Sequence, residues 1–342
     1  MRLVTLAVLL GLFTTAPAAA DPVPAPVAAC TITDPRLAEL SGLVADDQHW
    51  YAINDGGTAS VVWVLGKDCQ VQNRISSPLN PYDVEDLARG ADGTFWLSDT
   101  GDNDSDRDTI ALISLTPAGQ GTPFRLTYPD GPHDAEALLL DRSGVPYVVT
   151  KNPLGTADVY RPAGPLASPG PTPLEHVATV RLTSTDTPGG PVPGLVGSVT
   201  VTGAASSLDG TVIALRTYTD AYLFPVKDGD VVAALAEKPV RVPLPNEAQG
   251  EAIAFQPDGS LVSGSETGEE EVPQPINVVA GATQLVAPKP LPGTSKPEPA
   301  SNVSGTPEQK EGLPAIPAAA VTAAAIGFVY LLFRSLRRRR SR

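Results

Sequence analysis

The amino-acid sequence predicts an all-β fold, and three observations carry that prediction. Pro (36) and Gly (31) are frequent across the 342 residues, and the exported part carries no sustained 3.6-residue apolar period of the kind a helix needs. Short runs of Val, Ile, Leu and Thr alternate with Asp-Gly and Gly-Pro turns, the punctuation of strands. A short motif also recurs along the chain at intervals of about 44 to 66 residues, the signature of a repeat architecture.

The repeat is legible when the turns are aligned. Val84-Glu85-Asp86-Leu87-Ala88 precedes Asp92-Gly93; Ala135-Glu136-Ala137-Leu138-Leu139 precedes Ser143-Gly144; Gly250-Glu251-Ala252-Ile253-Ala254 precedes Asp258-Gly259. Leu40-Ser41-Gly42-Leu43-Val44 before Asp46-Asp47, and Val201-Thr202-Gly203-Ala204-Ala205 before Asp209-Gly210, fit with the key residue changed. A second strand follows each turn, at 50–53, 94–97, 145–149, 211–215 and 260–262. Third strands are expected at 60–65, 109–115, 156–161, 221–226 and 276–279, and fourth strands at 70–76, 122–127, 176–182 and 238–242. Four-strand units repeated in this way predict a single β-propeller, of five blades or, if a degenerate unit lies between Glu136 and Thr202, of six; a β-sandwich is the competing architecture. The last unit lacks a fourth strand, and the segment Cys30-Thr31-Ile32-Thr33 can supply it from the other end of the chain, removing a free edge. The only two cysteines, Cys30 and Cys69, then form one disulfide that ties the closure to the first unit.

The two ends read differently. Met1-Arg2, the apolar run from Leu3 to Phe13 and the small residues before Asp21 make residues 1–20 a signal peptide. Residues 315–333 are uncharged over 19 positions; at 1.5 Å per residue that is roughly 28 Å, enough for a transmembrane helix. Arg334 and Arg337-Arg338-Arg339-Arg340 follow, a basic cytoplasmic tail (334–342) by the positive-inside rule. Between residue 280 and residue 315 the Pro-rich composition predicts a disordered linker, 281–314. The expected product is a single-pass protein of the cell membrane, with its domain (21–280) outside and its C-terminus inside. Lys and Arg number 24 against 38 Asp and Glu, and removing the tail makes the exported part more acidic still, which argues against nucleic acid as a partner.

Candidate chemistry sits where the repeat places it. In a propeller the same repeat position rings the axis; here those positions are Ser41, Glu85, Glu136, Thr202 and Glu251. Glu85, Glu136 and Glu251 around one channel cannot all stay ionised without a counter-charge, which Lys151, Arg216 or a cation would supply. Oxygen donors suit a hard cation, calcium above all. Against this, the same recurrence is expected if each Glu only caps backbone amides of a neighbouring unit. The loop Asp99-Thr100-Gly101-Asp102-Asn103-Asp104-Ser105-Asp106 has carboxylates at alternate places but lacks the Gly and closing Glu of an EF-hand, and Asx-rich turns look the same. His133 is the candidate general base, with Glu136 beside it in sequence; no G-x-S-x-G elbow, H-E-x-x-H or P-loop occurs.

Taken together, Tyr82-Asp83-Val84-Glu85-Asp86, Asp99-Thr100-Gly101-Asp102-Asn103 with Arg107, Pro132-His133-Asp134-Ala135-Glu136-Ala137-Leu138, Val149-Thr150-Lys151, Leu215-Arg216-Thr217-Tyr218 and Gln249-Gly250-Glu251-Ala252-Ile253 resemble a family of secreted bacterial WD40-like propeller proteins common in actinobacteria. More distantly they resemble esterase-like phytase and lactonase propellers. The resemblance spans about residues 35–266 and implies the fold and the channel residues, without a settled activity. The chain departs from the pattern at Val84, where an aromatic is usual, and at Ala204-Ala205, where an Asp and a β-branched residue are usual. The expected function is binding of a small polar ligand, a cation or an envelope partner through Glu85, Asp99, Asp102, Asn103, Glu136, Lys151, Arg216 and Glu251. Glu85, Glu136 and Glu251 are the expected metal ligands, with calcium the one candidate cofactor. A metal-dependent hydrolase and a purely structural scaffold are the alternatives.

Overall fold

The computed structural model describes residues 22–192 and 195–287. The expected signal peptide, the linker beyond residue 287, the membrane helix and the basic tail lie outside the described residues. Among those described, no helix is long and apolar enough to cross a membrane.

The described residues form twenty strands. β1 (Val27–Thr31) comes first, then β2 (Leu40–Ala45), β3 (His49–Asn54), β4 (Ser60–Gly66) and β5 (Val71–Ser77) pair in order as one sheet. β6 (Val84–Arg89), β7 (Phe95–Asp99), β8 (Ile110–Leu115) and β9 (Gly121–Thr127) form the next meander, followed by β10 (Ala135–Leu140), β11 (Pro146–Thr150), β12 (Thr156–Pro162) and β13 (Thr172–Arg181). These two meanders join into one eight-stranded sheet through a short parallel pairing of β13 with β9, Thr172 opposite Leu126 and Pro173 opposite Thr127. β14 (Val201–Ser206), β15 (Val212–Thr217), β16 (Asp220–Pro225) and β17 (Val240–Pro243) make a further sheet, and β18 (Gln249–Phe255), β19 (Leu261–Glu266) and β20 (Pro275–Val279) the last. β1 pairs antiparallel with β20 and completes that sheet as its fourth strand. Cys30 in β1 is disulfide-bonded to Cys69, with Cα atoms 5.8 Å apart. The first strand of each meander packs on the next: β2 on β6, β6 on β10, β10 on β14, β14 on β18, and β18 back on β2. That closed ring is propeller-like.

The inner strands are covered on both faces, which is why they read as runs of buried residues rather than as alternation. All six residues of β10 are buried. One core layer holds Ile53, Val62, Leu87, Phe95 and Leu97 between the first two meanders, and another holds Leu139, Val149, Val201, Ile213 and Phe224 between the third and fourth. The hairpin turns use Gly at positive φ, as at Gly93 (+85°) and Gly259 (+81°), and the preceding Asp caps the turn, Asp92 Oδ1 accepting the Thr94 amide at 3.0 Å and Asp258 Oδ1 the Ser260 amide at 2.9 Å. The long span between β13 and β14 carries, among its described residues, only the short helix α1 (Leu195–Val199) and no strand. Folded structure runs a little past residue 280, where Ala282–Val286 form a 3-10 turn with Ala282 fully buried.

Candidate functional site

A β-bulge aims the ring residues. The register of each inner pair slips by one residue between Leu40 and Gly42, Val84 and Asp86, Ala135 and Ala137, Val201 and Gly203, and Gly250 and Ala252. The extra residue is therefore Ser41, Glu85, Glu136, Thr202 or Glu251, and an extra residue in one strand re-aims its side chain. All five are buried, none more than 2 % exposed. Ser41 Oγ donates to the Glu85 carbonyl and Thr202 Oγ1 to the Gly250 carbonyl, so these two tie their meander to the next.

The glutamates divide into two groups. Carboxylate oxygens of Asp55, Asp83 and Glu85 lie within 4.8 Å of one another, and so do those of Glu85, Asp134 and Glu136. Asp55 follows β3, Asp83 precedes β6 and Asp134 precedes β10, so loops at one end of the ring bring them to the buried glutamates. Asp55, Asp83 and Asp134 are half-buried, which puts the cluster at a mouth open to solvent. Lys151, after β11, ion-pairs with Glu136 and donates its backbone N–H to the Asp134 carbonyl at 2.9 Å. Glu251 belongs to neither group. It accepts from Gln249 Nε2 at 3.1 Å, and burial, reinforced by the neighbouring Glu266 carboxyl, pushes its own well above the usual carboxylate range against the pull of Lys151. Tyr218 is 1 % exposed, and its hydroxyl lies beside the Lys151 side chain. It feels the charges of Lys151, Glu136 and Glu251, and burial raises its pKa far above the phenol range.

The Asp-rich loop braces this cluster. Asp99 Oδ1 accepts the amides of Tyr82 (3.1 Å) and Asp83 (2.9 Å) and a bond from Arg107 Nη2 (3.1 Å). Asp102 spends both oxygens on the amides of Asp106 and Arg107, each at 3.0 Å, while its own amide donates to Asp134 Oδ1 at 2.9 Å. Arg107 donates to the Gly101 carbonyl at 2.7 Å and stacks 4.5 Å over the Tyr82 ring. A Cβ at Gly101 would stand 2.1 Å from Glu85 Oε1 and 2.4 Å from Asp83 Oδ2, so only Gly leaves room for the two carboxylates. Asp99 and Asp102 thus position the mouth as turn caps, and Asn103 is exposed beside them.

Two expected site residues are placed elsewhere. Arg216 is fully buried and all five of its N–H donors are used: Nε on the Thr217 carbonyl, Nη1 on those of Ala252 and Gly264, Nη2 on the Tyr218 carbonyl and on Glu247 Oε2 at 2.7 Å. A guanidinium so saturated has no donor left for a ligand. His133 Nε2 lies 3.0 Å from Asp130 Oδ1 and 3.1 Å from the Tyr160 hydroxyl, edge-on to Tyr128, whereas Glu136 is held by Lys151. The candidate general base His133 thus sits with Asp130 and Tyr160, while the bulge turns Glu136 to the axis beside Lys151.

Asp86 is the residue that sequence reasoning missed. It follows Glu85 at a repeat position otherwise occupied by Gly42, Ala137, Gly203 and Ala252. It is fully buried, and its Oδ2 accepts the amides of Leu138 in β10 (2.8 Å) and Ala204 in β14 (3.1 Å), with Oδ1 on Leu87 N (2.7 Å). One carboxylate thus joins three inner strands across the axis. Burial drives its pKa up, against those three amides and the Arg216 charge. The signal was present in the repeat: one Asp among four small residues.

No protein-family model matches the chain, and no curated protein matches it. Among solved structures it is similar to a gluconolactonase-like protein (14 % identity, 68 % of this chain and 70 % of that one, TM-score 0.37). It is also similar to the PQQ-bound aldose sugar dehydrogenase of Streptomyces coelicolor (10 %, 75 % and 98 %, TM-score 0.40) and to virginiamycin B lyase of Staphylococcus aureus (10 %, 72 % and 68 %, TM-score 0.34). At these identities and scores none of them transfers a function to this chain.

Proposed function

We propose that the chain is a five-bladed propeller, exported and tethered to the membrane by its C-terminal segment, whose channel mouth binds a hard divalent cation, calcium first, and through it a polar ligand or envelope partner. The observation that carries this reading is the convergence of Asp55, Asp83 and Glu85, from two neighbouring meanders, to within 4.8 Å at a half-buried mouth. Three carboxylates so close repel unless a positive charge sits among them. The donors are all oxygens, which favours calcium over softer ions. Five blades follow from reading the eight-stranded sheet as two meanders joined only at their outer edges.

The test is calcium titration of the full chain after chelator treatment, by calorimetry and by thermal unfolding. Saturable heat is expected, together with stabilisation of about 2.7 kcal/mol at a hundredfold excess over Kd. Asp83→Asn should weaken both effects at least tenfold. No heat and no shift in the unmodified protein would overturn the reading.

A further inference from the structure

We propose that a cavity between the first two meanders binds a small organic monocarboxylate, its apolar body against β8 and β9 and its carboxylate on Arg125. The cavity measures about 410 Å3, a size at which small molecules are held. Its floor is one face of the second meander. Ala111 opposes Arg125 and Ile113 opposes Pro123 across β8 and β9. All four line the cavity, and Leu79, from the connection between β5 and β6, closes it from the first meander. The wall is thus apolar with a few polar groups at its edge, the usual make-up of a ligand site.

Charge selects the occupant. Two guanidiniums reach the cavity. Arg107 is committed, since it ion-pairs with Asp99 and donates to the Gly101 carbonyl. Arg125 is not. Its backbone amide is fixed on the Pro169 carbonyl at 2.7 Å, but its exposed side chain makes no hydrogen bond or ion pair with the described residues. An uncommitted guanidinium fork at the edge of an apolar cavity matches a carboxylate, which it can hold through two parallel hydrogen bonds. Asp108 stands exposed on the same edge. It repels a dianion, so a single carboxylate fits better than a phosphate monoester.

Tyr82 points to an occupant independently. It lines the cavity and is 69 % exposed, an unusual place for a large ring unless something covers it. The ring is held in place rather than loose. Arg107 stacks 4.5 Å from its centre, and Asp99 Oδ1 accepts its amide at 3.1 Å. Its remaining surface is offered to a ligand. The site does not rest on the cation reading, since none of Asp55, Asp83, Glu85, Asp134 and Glu136 lines the cavity.

The experiment titrates octanoate into the full-length chain after chelator treatment, by calorimetry and equilibrium dialysis. Saturable binding of one octanoate per chain is expected, with octanol and octylammonium at least tenfold weaker. Arg125→Gln should weaken octanoate about tenfold, leave octanol unmoved and keep the parent's Tm, because the side chain holds nothing in the fold. Ala111→Leu should fill the cavity and abolish binding of every probe. Tyr82→Ala, at an exposed position, should weaken all of them severalfold without touching the core. Octylammonium as tight as octanoate, or undiminished octanoate binding in Arg125→Gln, overturns the carboxylate assignment. Undiminished binding in Tyr82→Ala, or in a folded Ala111→Leu protein, overturns the location. No octanoate binding by the unmodified protein overturns the proposal and leaves the cation reading standing.

Discussion

Replacing Asp86 tests how the ring is held at its centre. In Asp86→Ala the amides of Leu138 and Ala204 lose their common acceptor at a site with no solvent access. An orphaned buried amide costs about 1–3 kcal/mol, so the two that cross between meanders come to roughly 2–6 kcal/mol. Removing a desolvated carboxyl returns part of this, and the expected net loss is about 3 kcal/mol. For a domain of this size each kcal/mol moves Tm by about 2–4 °C, so Tm should fall by roughly 6–12 °C. Asp86→Asn is the control. Its amide oxygen can keep both cross-meander bonds, and only the Leu87 contact becomes donor against donor, so the loss should be about 1 kcal/mol. Chemical denaturation of both variants measures the difference. If Asp86→Ala unfolds within about 0.5 kcal/mol of the parent, the carboxylate is not the tie described here. If Asn is as damaging as Ala, charge facing Arg216, not the amide bonds, is what matters.

Three further outcomes are expected. Arg216→Met leaves Glu247 buried without its cation and should cost about 3–5 kcal/mol, read as loss of the folding transition or of soluble protein. Glu251, whose carboxyl is raised in the fold, favours the folded state fully below its unfolded pKa near 4.3, and that contribution is lost as pH rises through the folded value. Glu251→Gln should therefore be more stable than the parent at pH 7 and lose that advantage towards pH 4, as followed by Tm across the range; parallel curves would refute the shift. Reducing Cys30–Cys69 opens a closure of 39 residues, which should cost about 4 kcal/mol of unfolded-state entropy, visible as a drop in Tm with reductant that Cys30→Ser reproduces.

Most of the architecture was readable locally. Asp-Gly turns, doubly buried apolar runs and the recurrence of one short motif depend on neighbours a few residues apart, and they located the four-strand units. The third and fourth strands followed from the same spacing. Cys30 and Cys69, an even pair, pointed to a bond, and the missing last strand pointed to the N-terminal segment as its source. The site was readable only as a list. Glu85 and Glu136 appear in it with the same standing as Glu251 and Arg216, because a repeat assigns equivalent positions without saying how far apart they end up. Asp83, Asp134 and Tyr218 were named only as parts of motifs, since nothing local marks them as facing a glutamate dozens of residues away.

The sequence by itself determined the strands, the turns, the ring positions and the closing bond, since each depends on local periodicity or on chain-end bookkeeping. Only the tertiary structure decided which carboxylates meet. The five bulges set the direction of each ring side chain and ring closure sets the spacing between meanders, and together they place Glu85 between two acidic neighbours and leave Glu251 with Glu266. They also bury Arg216 among carbonyls and carry Asp86 across the axis. Those outcomes hang on distances between segments far apart in the chain, which no local pattern encodes.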